Sequence, residues 1–338
     1  MIERFDAVLV VSFGGPEGMG DVMPFLENVT RGRNVPRARL EEVARHYERF
    51  RGVSPINAQN RALIEKLRAE LAAHGIDLPI YFGNRNWHPL LPAAVEKMTD
   101  DGVECALAFV TSSFSSYSGC RQYRENIEDA RKAVGSCAPQ VSKLRAFYNH
   151  PGFVEANAAH VAEALVRAGS DAHVVFTAHS IPVAMAKNCR YESQLVESAR
   201  LVAERAGFAD HSVVYQSRSG PPQVPWLEPD VSDRLRELAA SGVTNVVVSP
   251  IGFVSDHMEV VYDLDIEARA VADELGLSFE RAAAAGTHPA FVGAIRELVQ
   301  ERLDPAVPRR ALGRHGPSHD VCPVGCCLPG NGRPSSLP

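Results

Sequence analysis

The sequence predicts an α/β protein built from two doubly wound lobes with parallel sheets, followed by an irregular tail. Short apolar runs alternate with longer segments of helical periodicity, and such alternation is typical of β-α-β units. The chain has 338 residues, which is enough for about two hydrophobic cores. From about residue 304 onward, proline and glycine accumulate and helical periodicity ends, which favours irregular structure in this part.

The first lobe, predicted for residues 1–150, contains three apolar runs that we predict to be strands. Each run is uninterrupted rather than alternating, as expected for parallel strands that helices cover on both faces. The segments between the runs have the periodicity of amphipathic helices. The predicted strands are 7–12, 79–82 and 106–111, and the predicted helices are 40–50, 58–73 and 123–134.

The second lobe, predicted for residues 151–303, repeats this rhythm after a division near residues 149–155. Its predicted strands are 173–178, 212–216 and 245–251, and its predicted helices are 151–167, 196–206 and 232–240. Two halves of this kind indicate two Rossmann-like lobes, each with an open parallel sheet. The tail then covers residues 304–338.

The charge balance and the apolar pattern argue against several classes of protein. The chain has 35 basic and 41 acidic residues and a net charge of −6, whereas nucleic-acid-binding proteins normally carry a basic face. No apolar run approaches the roughly 18 to 20 residues of a membrane-spanning helix. The first residues lack the basic-then-apolar order of a signal peptide. We therefore expect a cytoplasmic protein that binds no nucleic acid and has no transmembrane segment.

The cysteines indicate metal or redox chemistry rather than disulfides. Three of the seven crowd the tail as Cys322, Cys326 and Cys327. Clustered thiols in a reducing compartment more often bind a metal than form disulfides. Because the tail can bury little apolar surface, a metal centre is the expected source of its order. The four dispersed cysteines are Cys105, Cys120, Cys137 and Cys189.

The chemistry is expected after the strands, because open α/β sheets bind ligands beyond the carboxyl ends of their strands. The turn after the first strand reads SFGGP, which does not match a dinucleotide fingerprint. The strand 173–178 runs directly into His179, which the sequence Ser-Ile-Pro follows. A histidine at this place suits a base or a metal ligand. The alternative is a turn histidine whose ring is merely hydrogen-bonded.

Three acids follow the last predicted strand at intervals of four residues: Glu259, Asp263 and Glu267. On a helix these carboxylates line one face, and like charges at this spacing are mutually destabilising. A solvated acidic face near a helix start is the structural alternative. Beside a histidine, the three acids are more typical of a path for a hydrated divalent cation such as Fe²⁺.

Several long sequence segments, in the order typical of one known family, identify a resemblance. These segments are VSFGGPEG, LENVTRGR, GVSPIN, FGNRNW, FTAHSIP, QSRSGPPQVPWLEPD and PIGFVSDHMEVVYDLDIE. Over essentially residues 5 to 300 the chain resembles the ferrochelatase family, which implies a chelatase-like fold of two lobes. It looks most like the actinobacterial branch, whose members resemble coproporphyrin III ferrochelatases and often carry a 2Fe–2S cluster.

The resemblance implies roles for individual residues. His179 matches the inner-site histidine, and Glu259 matches a carboxylate opposite it across the porphyrin. Asp263 and Glu267 match outer acids that relay the metal and protons. Some relatives have Tyr where Phe13 stands, and Phe cannot ligate iron, so axial ligation from this substrate-contacting position is excluded. The implied substrate contacts are Ser54 and Tyr123, with the loop of Arg31 and Arg33 near the propionates; taken alone, both arginines fit a surface loop equally well.

The resemblance also implies a 2Fe–2S cluster at the tail cysteines. A cluster bound by four cysteines needs a fourth thiolate besides Cys322, Cys326 and Cys327. We expect Cys189, with Cys137 and Cys120 as alternatives. Ordinary thiols on a disordered tail are the other interpretation. Because insertion of ferrous iron transfers no net electron, such a cluster is structural or sensory.

The expected function is insertion of Fe²⁺ into coproporphyrin III in haem biosynthesis, with release of two protons. A histidine with a pKa near 6.5 can accept a proton at neutral pH. The alternatives are a protoporphyrin IX ferrochelatase, and an iron–sulfur sensor or haem carrier on a chelatase scaffold. We expect a monomer, with transient contacts to neighbouring enzymes of the haem pathway.

Overall fold

The computed structural model describes residues 4–32 and 35–330. Its strands form two four-stranded sheets in which every neighbouring pair is parallel. The first sheet has the order β2-β1-β3-β4, and the second has the order β6-β5-β7-β8. The strands are β1 (Ala7–Ser12), β2 (Ile80–Asn84), β3 (Cys105–Val110), β4 (Gln140–Lys143), β5 (His173–His179), β6 (His211–Gln216), β7 (Asn245–Ser249) and β8 (Ser278–Arg281).

Helices connect these strands and cover both faces of each sheet, so the central strands are almost wholly buried. They are α1 (Met19–Val29), α2 (Arg37–Glu48), α3 (Ile56–Ala73), α4 (Leu91–Asp100), α5 (Gln122–Val134), α6 (Pro151–Ala168), α7 (Val183–Ala186), α8 (Tyr191–Ala206), α9 (Val231–Ala240), α10 (Met258–Val260), α11 (Arg269–Glu274) and α12 (Pro289–Leu303). Wide π-type turns occupy Tyr117–Arg121 and Val261–Ala268. None of the described helices is long and apolar enough to cross a membrane.

The order of the strands locates two switch points. In the first sheet β1 lies between β2 and β3, and in the second β5 lies between β6 and β7. At each switch point, the connections that follow the two neighbouring strands run to opposite faces of the sheet. This divergence opens a crevice at the carboxyl ends of those strands. Residues that follow β1, β3, β5 and β7 therefore line the expected binding cleft.

One large core spans both lobes. It includes Val10 and Phe109 from the first sheet and Phe176 from the second. Phe291 on α12 lies 6.3 Å from Phe109 and 5.8 Å from Phe153, measured between ring centroids. Aromatic rings in this range attract one another in addition to burying apolar surface. Since α12 follows the second sheet in the chain but packs against α3 and α6, it ties the two lobes together.

The described part of the tail forms no helix or strand, and polar contacts fix it to the body. Asn149 exchanges backbone and side-chain hydrogen bonds with Leu312, at 2.8 and 3.1 Å, and its amide also donates to the Gly316 carbonyl at 2.8 Å. The buried carboxylate of Glu197 accepts from the Arg314 backbone N–H at 3.0 Å. Buried polar groups of the body therefore supply the order that an apolar core does not.

The predicted fold class is confirmed, and all six predicted strands and all six predicted helices are present within a few residues of their predicted ends. The missed strands, β4 and β8, have four residues each and lie at sheet edges. Three of the four residues are polar in each of their sequences, QVSK and SFER, because an edge strand is partly open to solvent. The predicted boundaries at residues 150 and 303 remain a prediction.

Candidate active site

His179 is the last residue of β5, at the switch point of the second sheet. Its Nδ1–H donates to the carbonyl oxygen of Ser180, which fixes the tautomer and leaves Nε2 free to face a partner. The hydroxyl of Tyr191 donates to the His179 carbonyl at 2.9 Å and holds the backbone at this position. The imidazole is thus presented in one orientation.

Glu259 is that partner: its Oε2 lies 3.5 Å from His179 Nε2. Burial opposes the charged imidazole, but the hydrogen bond and charge of Glu259 outweigh it and raise the pKa of His179. Burial likewise opposes the charged carboxylate, but His179 lowers the pKa of Glu259 to about 2. The pair therefore shares one proton as imidazolium and carboxylate.

The short distance corrects one expectation. The resemblance implied that Glu259 lies opposite His179 across the porphyrin, whereas the two groups are 3.5 Å apart and belong to the same side of the cleft. A flat macrocycle between them would need about 7 Å, twice the van der Waals contact distance of about 3.5 Å. The two side chains therefore face each other directly in the described structure.

The residues before and after Glu259 are anchored. Arg281, at the end of β8, donates to both carboxylate oxygens of Asp256, at 3.1 and 2.9 Å, and lies 2.6 Å from Asp265. The two aspartates flank Glu259 in the chain, so one partly buried arginine fixes both sides of it. His257 places its Nδ1 4.0 Å from Glu259 Oε2, which makes it a second imidazole beside the same carboxylate.

Asp263 continues from Glu259 along the wide-turned segment Val261–Ala268. Turns of this kind are frequent at functional sites. Ser217 donates its hydroxyl to Asp263 Oδ2, from a left-handed backbone with φ of 61°. Burial raises the pKa of Asp263 to about 7, Ser217 opposes this, and the charges of Glu259 and Glu267 add to it. Burial and the charge of Asp230 also raise the pKa of Glu267, so the predicted line of acids exists.

The apolar wall of the cleft comes mainly from the first lobe. Phe13 follows β1 and packs in a cluster with Phe25, Trp87 and Tyr47, and this cluster also includes Met258, the neighbour of Glu259. Burial, with the charge of Glu259, raises the pKa of Tyr47. The aromatic cluster and the acidic line therefore meet at the His179–Glu259 pair.

A buried polar network connects the lobes beneath this wall. The amide of Asn60, on α3, donates to Ser12 Oγ at 2.8 Å and accepts from Ser255 Oγ at 3.3 Å. Gln59 accepts from the backbone N–H of Asp256 at 2.8 Å. The loop that leads to Glu259 is consequently held by two neighbouring side chains of the first lobe.

The predicted substrate contacts occupy different environments. Ser54 is buried beneath Gly15, where an added Cβ would lie 2.7 Å from the Ser54 hydroxyl. Tyr123 is buried among core residues of the first sheet. Arg31 is exposed and lines a cavity of about 540 Å³ together with residues that include Trp87. Arg33 lies outside the described residues, and the substrate roles of these four remain predictions.

Sequence reasoning gave no individual role to Arg85, which follows β2. Its guanidinium lies 4.5 Å from the Tyr123 ring centroid and 5.7 Å from that of Phe13. Its Nε donates to Asn126 at 2.6 Å. The available sequence signal was its position: Arg85 belongs to the segment FGNRNW and comes directly after a strand of the doubly wound sheet.

A second candidate site lies where the tail meets the body. Cys322 lies close enough to Cys120 to hold the pKa of the Cys120 thiol below its ordinary value. The sulfurs of Cys326 and Cys327 are 3.5 Å apart, with a left-handed backbone at Cys327, where φ is 56°. His319 Nε2 lies 3.9 Å from Cys326 Sγ. The potential ligand atoms of His319, Cys322 and Cys326 all lie within 4.8 Å of one another.

The geometry favours Cys120 over Cys189 as the fourth thiolate. Cys189 directs its thiol to the carbonyls of Met185 and Ala186, at 3.5 and 3.4 Å. Burial and the thiols of Cys120 and Cys326 are the main causes that raise the pKa of Cys327. Cys189 also raises it, but by less. Cys137 is exposed in the segment before β4. Cys120 is the dispersed cysteine whose pKa a tail cysteine, Cys322, lowers, which favours it as the fourth ligand.

Solved structures with the same arrangement of lobes are chelatases. SirB from Bacillus subtilis with Fe³⁺ has a TM-score of 0.58 and 13% identity, with 90% of this chain and 97% of that chain covered. CbiX, described as the terminal enzyme of sirohaem biosynthesis in denitrifying bacteria, has a TM-score of 0.51 and 15% identity, with 88% and 100% covered. These likenesses show that the chain has the two-lobed fold of these chelatases.

The family follows from sequence. The ferrochelatase family model matches residues 5–303. A "Ferrochelatase" of Rhodopirellula baltica is 58% identical over 96% of this chain and 93% of its own length. A "Coproporphyrin III ferrochelatase" of Nocardia farcinica is 54% identical over 96% and 97%, and one of Streptomyces coelicolor is 50% identical over 98% and 96%. The chain belongs to the ferrochelatase family.

Proposed function

We propose that this protein inserts Fe²⁺ into coproporphyrin III to give iron coproporphyrin III in haem biosynthesis, releasing two protons. The observation that carries the proposal is the His179–Glu259 pair, 3.5 Å apart at a switch point and followed along the chain by the acids Asp263 and Glu267. Relatives of 50–54% identity over nearly the whole chain bear the name coproporphyrin III ferrochelatase, which supports this substrate.

The proton chemistry follows from the pair. Metallation must remove two protons from the pyrrole nitrogens. The His179–Glu259 pair already holds one proton, so it accepts each pyrrole proton only after the proton it holds has passed outward, and it then acts as a base in a fixed orientation. The proton then needs a path outward. Asp263, with a pKa raised by burial to about 7, can take up and give up a proton near neutral pH.

The metal chemistry uses the same groups. Fe²⁺ is a substrate here, and imidazole and carboxylate ligands bind it without closing the site as thiolates would. Glu267 is exposed at the outer end of the line, Asp263 is half-buried, and Glu259 lies beside His179. The negative charge of these acids attracts the hydrated cation, and their carboxylate oxygens replace its water ligands one after another.

The identity of the macrocycle calls for its own experiment, because the R. baltica relative bears the name ferrochelatase alone. Coproporphyrin III has four propionates and protoporphyrin IX has two, so a coproporphyrin enzyme benefits from additional cations. The exposed Arg31 beside its cavity is one such cation. Initial rates of Fe²⁺ insertion with the two porphyrins, measured side by side without oxygen, decide between them: coproporphyrin III should react faster.

The sensor or carrier alternative predicts porphyrin binding without insertion. The intact His179–Glu259 pair favours the enzyme, because a carrier needs no base at the metal-entry side. A single-turnover experiment with stoichiometric protein, porphyrin and Fe²⁺ distinguishes the two. Insertion faster than the protein-free rate supports the enzyme, and insertion at the protein-free rate supports the carrier.

We further propose a 2Fe–2S cluster bound by Cys120, Cys322, Cys326 and Cys327. The sulfurs of Cys326 and Cys327 are in contact, and Cys322 is near enough to Cys120 to lower its pKa, which fits the four thiolates that such a cluster needs. A buried nitrogen of Arg124 without a hydrogen-bond partner lies in the same region and fits an anionic group there. When bound, the cluster supplies one-electron redox chemistry and a cross-link between the tail and the body.

Cysteine variants test the ligand set. In Cys120→Ser the visible charge-transfer absorption and the bound iron and sulfide should be lost, whereas the exposed Cys137→Ser serves as a matched control and should keep them. Loss of the cluster in Cys189→Ser, with retention in Cys120→Ser, would return the fourth position to Cys189.

The proposal also includes a cytoplasmic location and a monomeric state. Seven cysteines without a disulfide suit the reducing cytoplasm. We also propose a monomer that contacts neighbouring haem-pathway enzymes only transiently. Light scattering of the purified protein tests the monomer.

A further inference from the structure

Arg124 carries a buried hydrogen-bond donor that the described structure does not satisfy. Its Nη1 is shielded from solvent and has no hydrogen-bond partner. A buried donor without a partner costs roughly 1–3 kcal/mol, and more when it is charged, so it is rarely retained without a reason. The guanidinium therefore requires an acceptor that the described residues do not provide.

The surroundings of Arg124 identify that acceptor. Arg124 lies one helical turn after Cys120, and its positive charge acts on the sulfurs of both Cys120 and Cys322. Lys143 acts on the same two sulfurs, but its Nζ already donates to the Leu144 carbonyl at 2.7 Å. Of these two cations, Arg124 alone has a nitrogen that is buried and without a partner.

A neighbouring arginine, Arg121, hydrogen-bonds the backbone of the tail. Arg121, which is 1% exposed, donates from Nη1 to the Cys326 carbonyl at 2.9 Å. This bond fixes the backbone of the tail loop but uses no sulfur. The two arginines therefore have different roles. Arg121 holds the backbone of the tail loop, whereas Nη1 of Arg124 is available to the sulfur atoms.

We infer that Arg124 donates a hydrogen bond to a sulfur of the bound 2Fe–2S cluster and sets its reduction potential. The inference rests on the cluster proposed above. Hydrogen bonds to sulfur and local net charge are two of the factors that set the potential of such clusters. One-electron reduction adds a negative charge to the cluster, and a buried guanidinium stabilises that charge. Arg124 therefore raises the potential.

The test is a redox titration of the purified, cluster-containing protein, followed by visible absorption and by EPR of the reduced form. Arg124→Gln should lower the equilibrium constant for one-electron reduction about tenfold, a shift of about 59 mV to lower potential. Arg124→Lys keeps the charge and should shift less. Lys132→Gln, an exposed position on the same helix, is the matched control and should leave the potential unchanged.

The outcomes separate this inference from the cluster proposal. Wild-type protein without cluster absorption after anaerobic reconstitution would refute the cluster itself, whatever its activity in iron insertion. An unchanged potential in Arg124→Gln, with full iron and sulfide content, would overturn the role of Arg124. Loss of the cluster from the folded Gln variant alone would support the role, whereas equal loss from the Gln and Lys variants would overturn it.

Discussion

Glu259→Gln removes one negative charge from the centre of the proposed chemistry while preserving the size and polarity of the side chain. The carboxylate lies 3.5 Å from His179 Nε2, and the two side chains are 51% and 32% exposed, respectively. At about 4 Å a charge pair is worth about 4 kcal/mol near a protein surface and about 1 kcal/mol in bulk water. Because the cleft is solvated before the porphyrin binds, the lower part of this range applies to the free protein.

With the porphyrin bound, water leaves the cleft and the higher part of the range applies. The variant then lacks both the charge that supports the imidazolium and the partner that shares its proton, and the effect of losing a general base is about 10²- to 10⁴-fold. We therefore expect the kcat for Fe²⁺ insertion into coproporphyrin III to fall at least about 100-fold. Porphyrin affinity should change only a few-fold, since the aromatic wall is intact.

The assay follows loss of porphyrin fluorescence under anaerobic conditions, with affinity measured separately by absorption titration without iron. Glu274→Gln is the matched control, because Glu274 is an exposed carboxylate at the far end of the same helical stretch. It should retain wild-type activity. A Glu259→Gln variant with near-normal kcat would show that the pair is not the base and would move that role elsewhere.

Three further predictions test the chemistry and the packing. His179→Ala should abolish insertion while porphyrin binding stays measurable, and near-normal turnover would refute the assignment. Because burial raises the pKa of Asp263 to about 7, its charge is present above that pH and lost below it, so kcat/KM for Fe²⁺ should rise through about pH 7. Asp263→Asn should lack this rising limb, and its persistence would exclude Asp263 as the titrating group. Glu301→Gln breaks the ion pair with Arg145, whose side chains are 2% and 0% exposed, and should cost about 3–5 kcal/mol in urea unfolding. The exposed Glu204→Gln should cost under about 1 kcal/mol, and equal costs for the two variants would contradict this reasoning.

The fold was predictable where burial dominates the local sequence. β1 and β5 read as uninterrupted apolar runs because helices cover both faces of a central parallel strand. At the edges this signal disappears, and QVSK and SFER do not differ from loop sequences. α1 was also missed, because Pro24 interrupts its helical pattern.

The candidate site was predictable in its membership but not in its geometry. His179 and Glu259 each follow a strand of the same sheet, and parallel strands bring their carboxyl ends to one edge. Which side of the cleft each group occupies depends on side-chain direction and on the Arg281 anchor, and neither has a periodic signature. For this reason the implied placement on opposite sides of the macrocycle was wrong.

The tail shows a different limit. Its residues lack any periodicity, so the sequence could supply three thiols but not their neighbours. Cys120 follows a polar turn and Cys189 follows a short helix, and nothing in their spacing reveals which one meets Cys322. The contact depends on how Asn149 and Glu197 dock the tail, which is long-range information.

The most direct measurement compares anaerobic rates of Fe²⁺ insertion by the wild-type protein with coproporphyrin III and with protoporphyrin IX under identical conditions. We expect rapid metallation of coproporphyrin III and a clearly slower reaction with protoporphyrin IX. A protein that binds either macrocycle but leaves both free of iron would contradict the account at its centre.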